Sequence, residues 1–256
     1  AGILNGTTNF ILTKMIEDGM TFEDALKLAQ DNGYAEKDPT ADIEGFDACR
    51  KVCILASLAF GKHVYPNQVN TEGITKITLE DVSYIQSANG VIKLLGQIKN
   101  IDDDKIAAFV SPAVVFNGSQ LASVNGVFNA ILVRGDAVGD VCFYGQGAGK
   151  EATASAVVAD MVDCAVHVEK RKEFGWGPGS ESYVVDEKEA IEMPFYVRAI
   201  ASEQQIKAIF NDVKFLTRVG KPSNEVAFIT DKMTQVALNK KLEGVDVINI
   251  IKVTNY

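Results

Sequence analysis

Gly33-Tyr34-Ala35-Glu36-Lys37-Asp38-Pro39-Thr40-Ala41-Asp42-Ile43-Glu44-Gly45-Phe46-Asp47-Ala48-Cys49-Arg50-Lys51 places five carboxylates in a loop and the start of a helix, with a lysine one turn after the last of them. Pro39 keeps the upstream helix from running on, because its ring removes a backbone N–H and clashes with the preceding turn. Beyond Lys51, Val52-Cys53-Ile54-Leu55-Ala56-Ser57-Leu58-Ala59-Phe60 is apolar on nearly every side, and Gly61 supplies a stop. The stretch predicts a helix over 47–60 whose acidic start lies at the edge of a core.

Working outward, the polar turn Asn5-Gly6-Thr7-Thr8-Asn9 leads into a helix over 10–16. Thr21 with Asp24 forms a capping box for a second helix that Gly33 ends, and Thr78 with Asp81 forms another. The pattern then changes to short apolar runs separated by turn residues, predicting strands at 91–98, 107–115, 127–133 and 141–144. A long helix follows over 153–168, reached through Gly145-Gln146-Gly147-Ala148-Gly149. Helices followed by a mainly antiparallel meander indicate an α+β fold, a mixed sheet with helices on one face. The Gly- and Pro-rich run Phe174-Gly175-Trp176-Gly177-Pro178-Gly179-Ser180 marks a boundary. The expected division is a first domain at 1–175, a linker at 176–192 and a small domain at 193–256. The last reads as βαβαβ, with strands at 195–201, 226–230 and 247–253 and helices at 204–213 and 233–242.

Composition narrows the function. The 256 residues are 47% hydrophobic and 23% charged, as in an ordinary globular protein. A net charge of -9 disfavours nucleic acid and anionic membrane surfaces as partners. No apolar run approaches the ~20 residues that span a bilayer. The chain opens Ala1-Gly2-Ile3-Leu4-Asn5 with no initiator Met and no signal-peptide pattern, and reads as a piece of a longer cytoplasmic protein. Cys49, Cys53, Cys142 and Cys164 form no disulfide framework, and the i, i+4 pair Cys49 and Cys53 reads as core thiols.

Asp47 and Lys51, four residues apart, share a helix face that continues through Ile54, Leu55 and Leu58. One reading is a structural ion pair. The other is a buried lysine whose pKa is lowered by desolvation, held by acids and able to exchange a proton near neutral pH. Glu36, Asp38 and Asp42 add negative charge that Lys37, Arg50 and Lys51 do not balance, and a ligand ammonium would balance it. The glycine-rich run before the helix at 153 presents backbone N–H groups suited to an anion, although a plain turn explains it as well. Neither a Rossmann fingerprint nor a P-loop is present. His63 and His167 are isolated, and no set of residues stands at metal-ligand spacing.

Ala29, Gly33-Tyr34-Ala35, Asp38-Pro39, Asp42-Ile43, Gly45, Asp47 and Lys51 together resemble the signature of homoserine dehydrogenase. Gly2-Ile3-Leu4-Asn5-Gly6-Thr7-Thr8-Asn9, Val124-Asn125-Gly126-Val127-Phe128-Asn129-Ala130 and Thr153-Ala154-Ser155-Ala156-Val157-Val158 are similar to further landmarks of that family. The resemblance covers roughly the first 170 residues. It implies an NAD(P)-dependent oxidoreductase that interconverts L-homoserine and L-aspartate 4-semialdehyde in threonine, methionine and isoleucine synthesis; the chain itself is expected to form a homodimer through its sheet edges. It also implies that Lys51 is the acid/base group, that Glu36, Asp42 and Asp47 bind or position the substrate, and that Gly6 and Thr7 contact it. Gly147, Ala148 and Gly149 would lie against the nicotinamide cofactor. The family's nucleotide-binding domain is absent from these 256 residues, so the expectation is half an active centre, with no cofactor bound and little turnover from the chain alone. The last domain resembles an ACT unit, a ferredoxin-type α/β sandwich, in Ala227-Phe228-Ile229-Thr230-Asp231 through Leu242. The usual D-x-P-G-V-L turn is replaced by Ser202-Glu203-Gln204-Gln205-Ile206. The alternative reading is a non-catalytic amino-acid-binding regulatory module derived from the same domain.

Overall fold

The computed structural model describes residues 1–147, 149–169, 173 and 175–254. The chain begins with β1 (Gly2–Ile3), α1 (Gly6–Glu17) and α2 (Phe22–Asp31). The acidic loop contains a single helical turn, α3 (Thr40–Ile43), and leads into α4 (Phe46–Phe60). A 3-10 turn at Pro66–Gln68, β2 (Asn70–Thr71) and α5 (Leu79–Ser87) follow. Four strands come next: β3 (Gly90–Asp102), β4 (Lys105–Phe116), β5 (Phe128–Gly135) and β6 (Gly139–Gln146). After α6 (Lys150–Val166) and α7 (Glu187–Ala190), the chain ends in β7 (Phe195–Ile200), α8 (Glu203–Ile209), β8 (Val213–Leu216), β9 (Glu225–Thr230), α9 (Gln235–Lys241) and β10 (Asp246–Thr254).

Local chemistry explains the helix limits. The Thr21 hydroxyl oxygen accepts from the Asp24 N–H, and Thr78 and Asp81 cap one another as a box. Gly45 before α4 and Gly61 after it both have left-handed backbone, at φ 81° and 73°, which glycine adopts without steric cost.

The described strands form one mixed sheet in the order β6-β5-β1-β3-β4-β10-β7-β9-β8, with β2 also paired to β4. The twelve-residue β4 is the seam. Its first half pairs in parallel with β2 (Asn70 with Phe109), and its second half in parallel with β10 (Val253 with Val114). The last strand of the chain therefore extends the sheet of the first unit.

Strand alternation sorts the core by face. Ile106, Ala108 and Val110 of β4, Tyr196, Ala227 and Ile251 point toward α1, α2, α4 and α5. Ala107, Phe109, Phe195, Val197 and Phe228 point the other way, onto Ile206 of α8 and Leu238 of α9. Helices thus cover one face of the first unit, and those of the final βαββαβ unit cover the opposite face, as in a ferredoxin-like arrangement.

Two details differ from the sequence-based expectation. The final unit contains the extra strand β8, because the predicted helix over 204–213 stops at Ile209 and the chain turns at Phe210. Ile54 and Leu58, expected to run into the core, are exposed. The buried face of α4 carries Ala48, Cys49, Val52, Cys53 and Ala56 instead. Small residues are needed there because α4 lies close over Gly96 of β3, where a Cβ would come within 2.5 Å of the Val52 side chain. No described helix is long and apolar enough to cross a membrane.

Candidate active site

Four elements meet where the acidic loop returns to the sheet. Asn5 caps α1, its Oδ1 accepting from the Thr8 N–H at 2.9 Å and from the Thr8 hydroxyl at 3.1 Å. That fixes the direction of the other end of the amide. Asn5 Nδ2 donates to Asp42 Oδ1 at 2.7 Å and to Asp47 Oδ2 at 2.9 Å. The same Asp47 oxygen accepts from Lys51 Nζ at 2.8 Å, and Lys51 also donates to the Leu4 carbonyl at 2.9 Å. An amide, two carboxylates and an ammonium from α1, α3 and α4 thus form one connected group at the end of β1.

The cluster is open. Side-chain exposure is 44% for Lys51 and 31% for Asp47. This corrects the picture of a buried lysine. The close seat of α4 on the sheet brings Lys51 within reach of the Leu4 backbone, while the Asp47–Lys51 face of the helix stays in contact with solvent. Two fixed acceptors, the Asp47 carboxylate and the Leu4 carbonyl, hold the Lys51 ammonium in place.

The remaining expected residues fall around this group. Thr7 donates to the Tyr34 carbonyl at 2.6 Å, tying α1 to the start of the acidic loop, and the Phe10 and Tyr34 rings lie 5.0 Å apart. Gly6 opens α1 against the 124–128 loop, where a Cβ would stand 2.8 Å from the Val127 carbonyl. That loop is pinned to α1 by Asn9, whose amide donates to the Val124, Gly126 and Phe128 carbonyls, and by buried Lys93, which donates to Val124 at 2.6 Å. Burial lowers the Lys93 pKa to about 8, with the Glu17 carboxylate acting in the opposite direction.

Glu36 lies on the exposed part of the loop. Its carbonyl accepts from Gln30 at 3.1 Å, and the hydrogen bonds that join Asn5, Asp42, Asp47 and Lys51 do not include its carboxylate. Asp38 is turned to local structure, accepting from the Thr40 hydroxyl at 2.6 Å and from the Thr40 N–H at 3.1 Å. Those bonds, the hydroxyl's first, hold its carboxyl below the usual carboxylate range.

The glycine-rich loop joins β6 to α6. Register relates it to the acid cluster: Gly2 pairs with Ile131 and Ile3 with Ala130, while the next β5 residue, Asn129, pairs with Gly145. With strands about 4.8 Å apart, two strand spacings separate the Leu4 backbone from Gly145, roughly 10 Å. A Cβ on Gly147 would fall on the Asn129 amide, and Gly149, at φ 115°, begins a seventeen-residue helix. Ala148 lies outside the described residues.

Asn5 was not singled out by sequence reasoning, although an Asn three residues before a Thr at a helix start is a capping signal. The Tyr34 carbonyl carries no such signal.

A family model for homoserine dehydrogenase matches residues 1–162. The chain belongs to the homoserine dehydrogenase family. It is 50% identical over 163 residues to the homoserine dehydrogenase of Pseudomonas aeruginosa, covering 64% of this chain and 37% of that protein. With the homoserine dehydrogenase of Helicobacter pylori it shares 41% identity over 215 residues, 83% of this chain and 49% of the relative. The crystal structure of Staphylococcus aureus homoserine dehydrogenase at pH 6.0 superposes with a TM-score of 0.81 at 34% identity, covering all of this chain and 65% of that one. A homoserine dehydrogenase from Thiobacillus denitrificans superposes with a TM-score of 0.84 at 34% identity, covering 99% and 63%. The chain thus spans between about a third and a half of the length of these two curated relatives. The likeness to the two solved homoserine dehydrogenases runs through β10, so the final βαββαβ unit is part of what is shared.

Proposed function

We propose that the protein carrying this chain interconverts L-homoserine and L-aspartate 4-semialdehyde with a nicotinamide cofactor, in amino-acid biosynthesis. The observation that carries this reading is the open cluster in which Lys51 is held between the Asp47 carboxylate and the Leu4 carbonyl. Lys51 takes the proton from the substrate hydroxyl on oxidation and returns it to the carbonyl oxygen on reduction. Asp42 and Asp47 carry two negative charges against one ammonium, and the substrate's own ammonium supplies the second positive charge. We place Glu36 with them on the same argument of charge, and Gly6 and Thr7 at the floor of the substrate site.

The nicotinamide, when bound, accepts or delivers the hydride. The residues present fit such a group: Gly149 precedes a helix that has no side-chain cap, so its first N–H groups can face an anion. We assign Gly147, Ala148 and Gly149 to its binding, and the nucleotide-binding domain to a part of the protein outside these residues.

We further assign dimerisation to the β6 edge of the sheet, where Phe143 and Tyr144 are 63% and 59% exposed. We read the final unit as an ACT-like sandwich that is dimerising or vestigial.

Lys51→Ala in the complete protein tests the reading. Turnover of homoserine should fall about 10²–10⁴-fold, the usual contribution of a positioned proton carrier. An unchanged kcat would reduce Lys51 to a structural residue and favour the non-catalytic reading.

A further inference from the structure

We infer that Asn5 is the positioning residue of the active centre, an amide clamp that holds Asp42 and Asp47 together and thereby fixes where Lys51 points. The inference rests on the function proposed above and adds a residue to it.

Asn5 is only 6% exposed, and both ends of its amide are committed. Its Oδ1 is held by the Thr8 N–H and hydroxyl, so the amide cannot flip without uncapping α1. Its Nδ2 has two protons and donates to two carboxylates, Asp42 at 2.7 Å and Asp47 at 2.9 Å. Asp42 belongs to α3, a four-residue helical turn with no buried residues, whereas Asp47 belongs to the fifteen-residue, well-packed α4. Without a donor between them the two acids repel, and the short turn is the partner that yields. Asp47 Oδ2 is shared between Asn5 and Lys51, so losing the amide also frees Asp47 to rotate and carries the ammonium away from Leu4.

Helix capping and carboxylate clamping require opposite chemistry from the same side chain, which makes them separable. Capping needs an acceptor, and Asp or Ser supplies one. Clamping needs two donated protons; an ionised carboxylate has none, and a serine hydroxyl has one on a shorter stem. Asn5→Asp and Asn5→Ser therefore retain the cap and lose the clamp.

In the complete protein, both variants should lose about 10- to 100-fold in kcat for homoserine oxidation, the scale of a misplaced reacting group. For Asn5→Asp there is a second signature. Three carboxyls crowded together share a proton more readily as pH falls, and a shared proton restores a donor between the acids. The activity of Asn5→Asp relative to the native protein should rise toward low pH, and its thermal midpoint should recover there too. Asn5→Ser should show neither trend.

Native-like kcat in both variants, or parallel pH profiles for Asn5→Asp and the native protein, would overturn the clamp. Failure of the native protein itself to oxidise homoserine would overturn the proposed function instead. In that case the pH dependence of the Asn5→Asp midpoint still decides the clamp, since it is measured without substrate.

Discussion

The molecule contains two clusters of acids and bases, alike in composition and opposite in design. In the first, Asn5, Asp42, Asp47 and Lys51 meet in contact with solvent. In the second, Arg198 is ion-paired with Asp81 at 2.9 Å and Glu225 at 3.5 Å, all three almost wholly buried. Tyr196 donates to Asp81, while Tyr84 and Arg218 donate to Glu225. Asn249 completes the ring by donating to Asp81 at 2.8 Å. This closed cluster ties α5 of the first unit to β7, β9 and β10 of the last. Its charges answer one another. The open cluster has one cation for two carboxylates and faces solvent. A dense group of charges is thus no sign of chemistry by itself; an imbalance that faces solvent is a better one.

The sharpest way to break the comparison is to remove the cation from each. Lys51→Ala should cost turnover by the 10²–10⁴-fold already given, yet change stability by no more than about 1 kcal/mol, because an exposed ion pair contributes little. Arg198→Ala should do the reverse. It leaves Asp81 buried without a counter-charge and Glu225 with Arg218 alone, a change that costs about 3–5 kcal/mol. In a protein of this size the thermal midpoint should drop on the order of 10 °C. Material that remains folded at low temperature should retain its kcat. A stable Arg198→Ala, or a Lys51→Ala that melts early, would erase the distinction.

Alkali should separate the clusters next. Burial, aided by the bond to Glu225, pushes the Tyr84 phenol up to about 12, and burial beside Asp81 pushes Tyr196 up further. A folded-state pKa above the unfolded value of about 10 means that the native state holds its proton longer. The associated stability is complete below pH 10 and is lost as pH rises through 12. Tyr84→Phe should therefore flatten the fall of stability between those limits, as measured by urea midpoints. It should leave the activity profile near neutral pH where it was. An equal alkaline slope in both proteins would mean that Tyr84 does not titrate with unfolding.

How legible these features were in the sequence follows from their range. Caps at Thr21 and Thr78, and the glycine stop at Gly61, depend on three or four neighbouring residues, and the helices formed where those signals stood. Lys51 was legible because the acids that surround it lie within fifteen residues. The four-residue β8 carries Lys214 between Val213 and Phe215, too short a pattern to distinguish from a helix end. The pairing of β10 with β4 joins positions some 140 apart, and nothing local announces it. The same holds for Asn5, whose value lies in meeting Asp42 and Asp47 from a third element. The exposed face of α4 was misjudged for a related reason. Ile54 and Leu58 look like core residues until Gly96, far along the chain, draws the small face of the helix against the sheet.

Asp38 gives the finest test, because it lies in the acidic loop yet behaves like a member of neither cluster. Its carboxylate is satisfied by the Thr40 hydroxyl and N–H, so its charge is directed into the turn that presents Asp42. A carboxyl whose folded pKa is depressed contributes stability that is complete above its unfolded pKa of about 3.9 and disappears as pH falls through the lower folded value. Asp38→Ala should lower the midpoint slightly at neutral pH and by progressively less below pH 4. On the proposed function, the KM for homoserine should change far less than in Asp42→Ala. If Asp38→Ala raised KM as strongly as Asp42→Ala, the surplus charge of the whole loop, rather than the two carboxylates joined by Asn5, would be what the substrate ammonium meets.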